Sequence, residues 1–241
     1  TTINNMIFQK NLSSIIVPFY NEEATLEKSV FKLVNEKFNK EIILVNDGST
    51  DKSKDIASNL EQKYDSIRLI NFKENRGKGF AVKTGMQESS GDIVGIFDAD
   101  LEYSTEDLND LIEFIRKENT DFVCGSRFIG DKDRKNIYLR TFIANKLMSL
   151  LFSYVYKNKI TDVATCLKVF KREIIENINI EKDDFSIEIE LIAKAISQTS
   201  DFKEIPISYN GRSYADGKKI KFLDGFKYIF AIFKFKWKIL N

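Results

Sequence analysis

Four segments in the first half of the chain share one pattern, in which a short apolar run ends in polar or glycine residues and an amphipathic stretch follows. The apolar runs begin the segments at residues 13–23, 41–51, 67–79 and 92–100. They are apolar throughout rather than alternating, which is typical of strands buried on both faces of a parallel sheet. Regular alternation of such strands with helices predicts an α/β fold.

The second half of the chain breaks this alternation. A fifth strand is predicted over residues 121–128, and a long helical pattern follows over residues 136–156. A further helix is predicted through "SIEIELIAKAIS". The segment "FKEIPISY" is predicted to be an edge strand, because Pro206 cannot donate to a central strand ladder.

Composition and length favour one compact, globular body. The chain has 241 residues, 43% of them hydrophobic, and no Pro- or Gly-rich linker. Its 37 basic and 36 acidic residues nearly cancel, so the overall charge gives no reason to expect nucleic acid as a partner. The sequence sets no expectation for the oligomeric state.

The kinds of chemistry open to the chain are limited by its residue types. It contains no histidine, which removes the usual general base near neutral pH and every His-ligated metal site. Cys124 and Cys166 are far apart and have no CxxC spacing, so we expect two reduced, structural thiols in a cytosolic protein. Carboxylates, lysines and arginines are left to carry the chemistry.

Neither a signal peptide nor a membrane-spanning helix is expected. The segment "TTINNMIFQK" lacks a basic stretch followed by an apolar one. The apolar run at residues 147–156 is about half as long as the ~20 residues that a bilayer crossing needs.

Three acids at the end of the fourth predicted strand, Asp98, Asp100 and Glu102, form the strongest chemical signal. Ser104 fits a helix cap, but a cap does not explain the acids before it. Ligands of open α/β sheets bind at the carboxyl ends of the strands. Carboxylates crowded at a buried strand end need a neutralising cation, and hard oxygen ligands favour Mg²⁺ or Mn²⁺.

Two glycine-containing segments are weaker signals. In "VNDGSTD", Asp47 either belongs to a simple turn or accepts hydrogen bonds from a ribose or a base. The segment "NRGKGFAVKTGM" lacks the spacing of a Walker phosphate loop. Its Lys78 either lines a nucleotide pocket or is an exposed loop lysine.

Taken in order, seven segments of the chain resemble glycosyltransferase family 2, in particular its dolichol-phosphate-mannose-synthase-like branch. The segments are "SIIVPFYNEE", "VNDGSTD", "NRGKGFAVKTG", "GDIVGIFDADLEY", "GSRF", "TDVATCLKVFKREI" and "EIPISYNGRSYADGKKI". The resemblance implies a single-domain nucleotide-diphospho-sugar transferase fold (GT-A, Rossmann-like) with a mostly parallel sheet. It also implies a divalent metal and an inverting displacement at the anomeric carbon.

The resemblance also assigns roles by motif position, all on residues read from the sequence. Around the base and ribose it places Pro18, Tyr20, Glu22, Asp47 and Lys78. It places Asp98 near the nucleotide and assigns the metal to Asp100 and Glu102. Facing the acceptor phosphate it places Arg127 and Arg140, and closing over the donor diphosphate it places Arg212, Ser213 and Lys218.

Two departures from the family pattern affect these roles. Glu102 stands where the lipid-phosphate sugar synthases have glutamine, so the metal shell would carry one more negative charge. "TDVATCLKVF" replaces a DPTSG-like segment near the acceptor, which leaves the identity of the acceptor open.

The expected reaction is transfer of a hexose from a GDP- or UDP-linked donor to a lipid acceptor. A polyprenyl phosphate, dolichyl or undecaprenyl, is largely a dianion at pH 7 and needs no base. A lipid hydroxyl such as that of diacylglycerol would need one, for which Glu188 and Glu190 are the candidates. The alternative from another class is a membrane-associated protein that binds nucleotide sugars without turnover.

The predicted organisation is a catalytic domain over residues 1–217, with a nucleotide-binding half at about 12–130 and an acceptor half at about 131–217. Residues 218–241 are predicted to form an amphipathic helix. Its apolar residues at helical spacing are Phe222, Phe226, Ile229, Phe230, Phe233, Trp237 and Leu240. The helix either lies on the cytosolic face of a membrane, helped by its lysines, or docks on the domain's own core.

Overall fold

The computed structural model describes residues 9–212 and 224–240. The strands are β1 (Gln9–Phe19), β2 (Lys40–Asn46), β3 (Ile67–Asn71), β4 (Gly91–Ile96), β5 (Phe122–Ser126), β6 (Arg134–Lys135), β7 (Lys168–Lys171), β8 (Phe202–Pro206) and β9 (Tyr209–Asn210). The helices are α1 (Leu26–Asn35), α2 (Ser53–Lys63), α3 (Lys78–Glu88), α4 (Thr105–Glu118), α5 (Leu139–Tyr156), α6 (Arg172–Glu176), α7 (Ile187–Ile196) and α8 (Asp224–Leu240).

Seven strands form one sheet in the order β3-β2-β1-β4-β7-β5-β8. All neighbouring pairs are parallel except those of β7, which runs antiparallel to β4 and to β5. Strands β6 and β9 pair separately as a short parallel ribbon. The α/β fold with a mostly parallel sheet and a C-terminal helix is therefore confirmed, and β8 with Pro206 is an edge strand, as predicted.

Strands β1, β2 and β4 are mostly buried between the helices. Strand β3 is an edge strand with only Ile67 buried, so the prediction of burial on both faces is wrong for it. Ile15, Ile16 and Val17 of β1 are fully inaccessible, and their strand lies in the interior of the sheet between β2 and β4. This burial explains why the runs of β1, β2 and β4 are almost continuously apolar rather than apolar at alternate positions. It also places the carboxyl ends of β1, β2 and β4 side by side at one edge of the sheet.

Helix α4 begins directly after the acidic segment. The Ser104 hydroxyl accepts a hydrogen bond from the Glu106 N–H at 3.1 Å, as expected for an N-cap. Asp107 does not complete the capping box, because its carboxylate binds the Ser208 N–H at 2.7 Å and Lys132 Nζ at 2.6 Å. Asp107 thereby fixes the chain between β8 and β9 against α4.

The start of α3 lies against the backbone of the loop that precedes α7. The Gly79 N–H donates to the Asp183 carbonyl at 2.7 Å. A Cβ added at Gly79 would lie 1.9 Å from the Lys182 carbonyl oxygen, and one at Gly77 would lie 2.2 Å from that of Asp183. Gly77 also has a positive φ of 105°. Glycine is therefore required at both positions.

Helix α8 has apolar side chains on two opposite faces. One face packs on α5 and α7 and consists of Tyr228, Ala231, Ile232 and Phe235. The other face is exposed and consists of Phe226, Ile229, Phe230, Phe233 and Trp237. Each set follows the 3.6-residue period. The helix therefore docks on the domain, as one of the two alternatives expected, and still presents an apolar surface. Phe222 and the Leu240 side chain lie outside the described residues.

Helix α5, which contacts α8, has an exposed apolar stripe of its own. The stripe consists of Leu139, Ile143, Leu147, Leu150 and Tyr154, all at helical spacing. The opposite side of the helix is buried through Met148, Phe152 and Tyr156. Among residues 9–212 and 224–240, no helix has both the length and the apolar content that crossing a bilayer requires.

Both cysteines are free and buried in the core. Burial raises the pKa of each thiol well above its usual value. A structural role is consistent with this environment.

Candidate active site

A cluster of three carboxylates and one guanidinium lies at the carboxyl ends of β1 and β4. Arg212 Nη1 is 2.9 Å from Glu22 Oε2, and its Nη2 is 3.2 Å from Glu22 Oε1 and 3.0 Å from Asp100 Oδ2. The Arg212 N–H donates to Glu102 Oε1 at 2.7 Å. With every group ionised, the cluster has two negative charges in excess.

The pKa of Asp100, the acid at the centre of the cluster, responds to both its burial and the neighbouring negative charges. Burial, together with the charges of Asp98 and Glu102, raises the pKa of Asp100 to about 7, although Arg212 opposes this shift. A further positive charge beside the Asp100 carboxyl group would favour its ionised form. We conclude that the cluster fits an additional cation.

The donor set is suitable for Mg²⁺ or Mn²⁺. Asp100 and Glu102 offer hard carboxylate oxygens, and Mg²⁺ commonly takes only one or two protein carboxylates with water and substrate phosphates completing its shell. Among the described residues, no three acid, cysteine or histidine side chains are already arranged around a common metal position. The physical reason is that Glu22, Asp100 and Glu102 converge on the Arg212 guanidinium instead.

A second group of charged side chains lies beside the first, and its positive and negative charges are equal in number. Lys78 Nζ lies 2.8 Å from both carboxylate oxygens of Asp98 and 2.8 Å from Glu188 Oε1. Glu188 also pairs with Lys168, which is fully buried on β7. Burial alone would lower the pKa of Lys78, but Asp98 and Glu188 hold it well above its usual value. Lys78 is thus neither an exposed loop lysine nor a free pocket cation.

The remaining predicted donor-site residues line the same edge of the sheet. Asp47 accepts the N–H groups of Arg76 and Gly77, both at 2.8 Å, and so ties the glycine segment to the end of β2. Burial raises the pKa of Asp47 despite these bonds. Pro18 is buried near the carboxyl end of β1, and Tyr20 is half-buried just beyond it.

Arg127 follows β5 and is held by Asp162. Its Nε and Nη2 lie 2.7 and 2.8 Å from the two carboxylate oxygens, and its backbone N–H donates to the same carboxylate at 3.0 Å. The guanidinium lies 5.0 Å from the centre of the Tyr209 ring, and the Tyr209 hydroxyl donates to Glu102 Oε2 at 2.6 Å. Tyr209 therefore connects the Arg127 pair with the acid cluster.

A small pocket next to Arg127 reaches the first turns of α5. Besides Arg127 its lining includes Phe128, Tyr138, Thr141 and Asn145. Arg140 lies in the first turn of α5. It is exposed, and its guanidinium makes no hydrogen bond or ion pair with a described residue. The structure therefore brings Arg127 and Arg140 to the same end of α5 but leaves only Arg140 without a charged partner.

The family described as Glycosyl transferase family 2 matches residues 14–178, a range that includes β1 to β7 and the acids after β4. The chain belongs to glycosyl transferase family 2. The family resemblance expected from the seven segments is thus confirmed.

Two relatives and one solved structure illustrate the likeness. The chain is 29% identical over 232 residues to the dolichol-phosphate mannosyltransferase of Pyrococcus furiosus, covering 93% of this chain and 64% of that protein. It is 34% identical over 206 residues to the dolichyl-phosphate beta-glucosyltransferase of Dictyostelium discoideum, covering 76% and 62%. The chain spans less than two thirds of the length of each.

The structural likeness shows a shared fold. Glucosyl-3-phosphoglycerate synthase from Mycobacterium tuberculosis, in complex with Mn²⁺, UDP and glucosyl-3-phosphoglycerate, superposes with a TM-score of 0.72. The sequence identity is 17%, and the superposition covers 94% of this chain and 80% of that chain. The GT-A fold expected for a family 2 chain is confirmed by this match.

Some of the predicted site residues lie elsewhere or beyond the described chain. Glu190, a candidate base, is fully buried, accepts the N–H groups of Glu181 and Lys182 at 2.7 and 2.8 Å, and pairs with Lys194. These bonds give Glu190 a structural role, since they tie α7 to the loop that precedes it. Ser213 and Lys218, predicted to contact the diphosphate, lie outside the described residues, as do Lys219 and Lys221.

Two side chains of the site in this family 2 chain were not foreseen. Asp162 belongs to "TDVATC", which was assigned to the acceptor region without a role for its acid, and Tyr209 belongs to a short strand without a chemical motif. No local pattern identifies Asp162, because its partner Arg127 lies 35 residues away in the chain. No sequence signal identifies Tyr209, because its role follows from the pairing of β6 with β9.

Proposed function

We propose that this chain is a metal-dependent inverting glycosyltransferase that moves a hexose from a GDP- or UDP-linked donor to a polyprenyl phosphate, dolichyl or undecaprenyl, on the cytosolic face of a membrane. The observation that carries the proposal is the cluster of Glu22, Asp100 and Glu102 around a single guanidinium. A site with excess negative charge at the carboxyl end of the sheet suits a cation and a diphosphate bound together.

The donor half of the reaction requires positive charge at the leaving group. Asp100 and Glu102 would hold Mg²⁺ or Mn²⁺, and this ion would offset the negative charge of the departing nucleoside diphosphate. Arg212, in contact with both acids, supplies a further positive charge at the same place. The Mn²⁺ and UDP named for the M. tuberculosis structure support this choice of ligands.

The acceptor half needs a nucleophile that attacks without a general base. A phosphate monoester has a second pKa near ~6 and is largely a dianion at pH 7. Its oxygen forms the new bond to the anomeric carbon while the bond from that carbon to the diphosphate oxygen breaks, and the electron pair leaves with the diphosphate. The phosphate therefore has no proton that must be removed.

The two candidate bases support a phosphate rather than a hydroxyl acceptor. Glu188 is held between Lys78 and Lys168, which keep its pKa below the usual value in spite of burial. Glu190 is occupied by two backbone N–H groups and Lys194. Neither acid is free to take a proton from diacylglycerol, so this alternative lacks a base among the residues predicted for it.

The position of the acceptor is inferred from charge and surface together. Arg140 is an exposed cation at the start of α5, next to the pocket that Arg127 lines. From there the exposed stripe of α5 runs along the helix, and α8 adds its own exposed apolar face. A phosphate at Arg140 with its isoprenoid chain along these apolar side chains fits this arrangement. The dolichol-phosphate substrates in the two relatives' names support a lipid acceptor.

The lysines of α8 contribute less to membrane attraction than their number suggests. Lys234 and Lys238 pair with Glu181, and Lys227 pairs with Asp184. These lysines fix α8 to the domain. The apolar side chains, rather than charge, would therefore provide most of the membrane affinity.

The enzymatic proposal is tested by a panel of GDP- and UDP-sugars with dolichyl phosphate, undecaprenyl phosphate or diacylglycerol, with products identified by mass spectrometry. We expect a glycosyl phospholipid with one of the phosphates, loss of product with EDTA, and recovery with Mn²⁺ or Mg²⁺. Full turnover in EDTA would refute the metal dependence. Product only on diacylglycerol would refute the phosphate acceptor, and donor binding without any product would support the binding protein instead.

The membrane proposal is tested with the single tryptophan of the chain, Trp237, which lies on the exposed face of α8. Vesicles should shift its fluorescence to shorter wavelength. The double variant Phe230→Ser with Phe233→Ser should weaken vesicle binding at least tenfold. Phe31→Ser, an equally exposed aromatic position on α1, is the matched control and should bind as wild type does. Equal weakening by all of these changes would argue against a specific membrane face.

A further inference from the structure

The Arg212 guanidinium lies beside the two carboxylates, Asp100 and Glu102, that the family resemblance assigns to the metal. Its Nη2 lies 3.0 Å from Asp100 Oδ2, and its Nε lies 3.9 Å from Glu102 Oε1. That Nε is buried and has no hydrogen-bond partner among the described residues. A guanidinium and a divalent metal on the same carboxylate repel each other, so Arg212 and the metal compete for Asp100.

Glu22 provides a second attachment for the same guanidinium. It binds Nη1 and Nη2 through both of its oxygens, and its Oε2 is fixed in turn by the Thr25 hydroxyl at 2.8 Å. Glu22 is itself buried. Arg212 can therefore release Asp100 without leaving the site, because Glu22 retains it nearby. Glu22, predicted to lie at the base and ribose, thus positions Arg212.

We propose that Arg212 is a competing cation that keeps Asp100 and Glu102 from binding a metal alone, and that it transfers its pairing to the donor diphosphate when metal and donor bind together. The inference rests on the donor site proposed above. A diphosphate gives the displaced guanidinium new oxygen partners. Metal and nucleoside diphosphate should therefore bind cooperatively, each increasing the affinity for the other by the same factor.

The decisive property is that loss of Arg212 should have opposite effects on the two ligands. Without the competing charge, the metal alone should bind more tightly. Without the guanidinium, the diphosphate should bind more weakly even when metal is saturating. A residue with only a structural role would weaken both when it is replaced.

The experiment compares wild type, Arg212→Gln and Arg134→Gln. The Arg134 side chain is exposed and, among residues 9–212 and 224–240, donates to the carbonyls of Gly130 and Lys132 and to no acid, so its replacement removes one positive charge without removing a contact to the acid cluster. Binding of Mn²⁺ alone is measured from the loss of the free-ion electron paramagnetic resonance signal. Binding of GDP and of UDP is measured by calorimetry at a fixed, saturating concentration of free Mn²⁺.

For Arg212→Gln we expect Mn²⁺ alone to bind at least tenfold more tightly and the nucleoside diphosphate at least tenfold more weakly, while Arg134→Gln matches wild type. Unchanged or weaker Mn²⁺ binding by a folded Arg212→Gln overturns the inference. If circular dichroism shows that this variant is unfolded, Arg212→Lys replaces it. That variant should bind Mn²⁺ at least threefold more tightly than wild type, and unchanged or weaker binding overturns the inference.

The same measurements separate this inference from the proposed function. A wild-type protein that binds neither GDP nor UDP in the presence of Mn²⁺ refutes the donor site. A wild type that binds them, together with an Arg212→Gln protein whose Mn²⁺ affinity is unchanged, refutes only the competition.

Discussion

Arg127 and Arg212 both lie against buried acids at the carboxyl edge of the sheet, but their surroundings differ in charge balance. Arg127 pairs with one carboxylate, Asp162, through two side-chain bonds and a backbone N–H. Arg212 is divided among Glu22, Asp100 and Glu102. The first arrangement is neutral, and the second has two negative charges in excess.

This difference separates structural from functional charge in one molecule. A buried one-to-one pair with good geometry satisfies both partners, and breaking it leaves an uncompensated charge. An unbalanced cluster has a raised carboxyl pKa, as Asp100 does, and therefore accommodates a further cation. Replacing an acid should accordingly affect stability at Asp162 and ligand binding at Asp100.

The largest expected effect is that of Asp100→Asn on turnover. Loss of a metal ligand should reduce formation of glycosyl phospholipid on the order of a thousandfold, in the range found when one group that stabilises transition-state charge is removed. The melting temperature should stay the same or rise slightly, because one of the repelling acids is gone. Product formation, Mn²⁺ binding and thermal melting are the measurements.

Asp92→Asn is the matched control for that variant. Asp92 lies at the opposite end of β4 and pairs with Arg116 at 3.0 Å. It should retain wild-type turnover. An Asp100→Asn protein with high activity and a low melting temperature would remove the distinction between the two arginine sites.

The second largest expected effect is a loss of stability in the variant Asp162→Asn. Breaking the buried pair with Arg127 should cost about 3–5 kcal/mol. For a chain of this size that corresponds to a drop in melting temperature of roughly 10 °C. Below the melting temperature, Mn²⁺ should still bind as in wild type, because the acid cluster keeps all of its members. Calorimetric melting and Mn²⁺ titration measure the two quantities.

Asp110→Asn controls for the loss of an ordinary ion pair. Asp110 pairs with Lys132 but is half exposed, so its replacement should change the stability by no more than about 1 kcal/mol. A similar loss of stability at Asp110 and Asp162 would mean that burial of the Arg127 pair has no special weight.

The smallest effect is expected at Glu181, where positive rather than negative charge is in excess. This single acid pairs with three lysines, Lys194, Lys234 and Lys238. These lysines lower the pKa of Glu181 to about 2 in spite of the opposing contribution from burial. Because the folded pKa lies below the ordinary value of 4.5, the contribution of Glu181 to the attachment of α8 is at full strength above pH 4.5 and is lost as the pH falls toward 2.

Trp237 on α8 reports this loss as a decrease in fluorescence anisotropy between pH 4.5 and 2. Glu181→Gln removes the titrating group, so its anisotropy should lack that step. The hypothesis is wrong if the variant shows the same step at the same pH.

The sequence was sufficient for the parallel part of the sheet. The runs that form β1, β2 and β4 are almost continuously apolar because both of their faces are covered, and this pattern can be read from the sequence alone. The run of β3 includes the exposed Arg68, because β3 is an edge strand. The sequence was not sufficient for β7, whose segment KVFK has only two apolar residues and which lies between β4 and β5 in the antiparallel direction. Direction depends on where the chain returns, which no local pattern records.

The site shows the same division between local and distant information. The acids after β4 were found because they are crowded within five residues. The ion pairs of the predicted lysine and arginine residues were not predicted. Lys78 pairs with Glu188 and Arg127 pairs with Asp162, and the two members of each pair are far apart in the sequence. Glu190 was chosen as a base from its residue type, while its actual bonds are to the backbone of an adjacent loop.

The close approach of Gly77 and Gly79 to Lys182 and Asp183 has a consequence for how the molecule unfolds. The loop at residues 181–184 lies between the start of α3 on one side and α8 on the other, which it contacts through Glu181 and Asp184. A single methyl group at Gly79 would displace the loop and so disturb its contacts with both α3 and α8. We therefore expect α8 and the sheet to unfold in a single cooperative transition. Heating should then not detach α8, with its exposed apolar face, from a domain that is still folded.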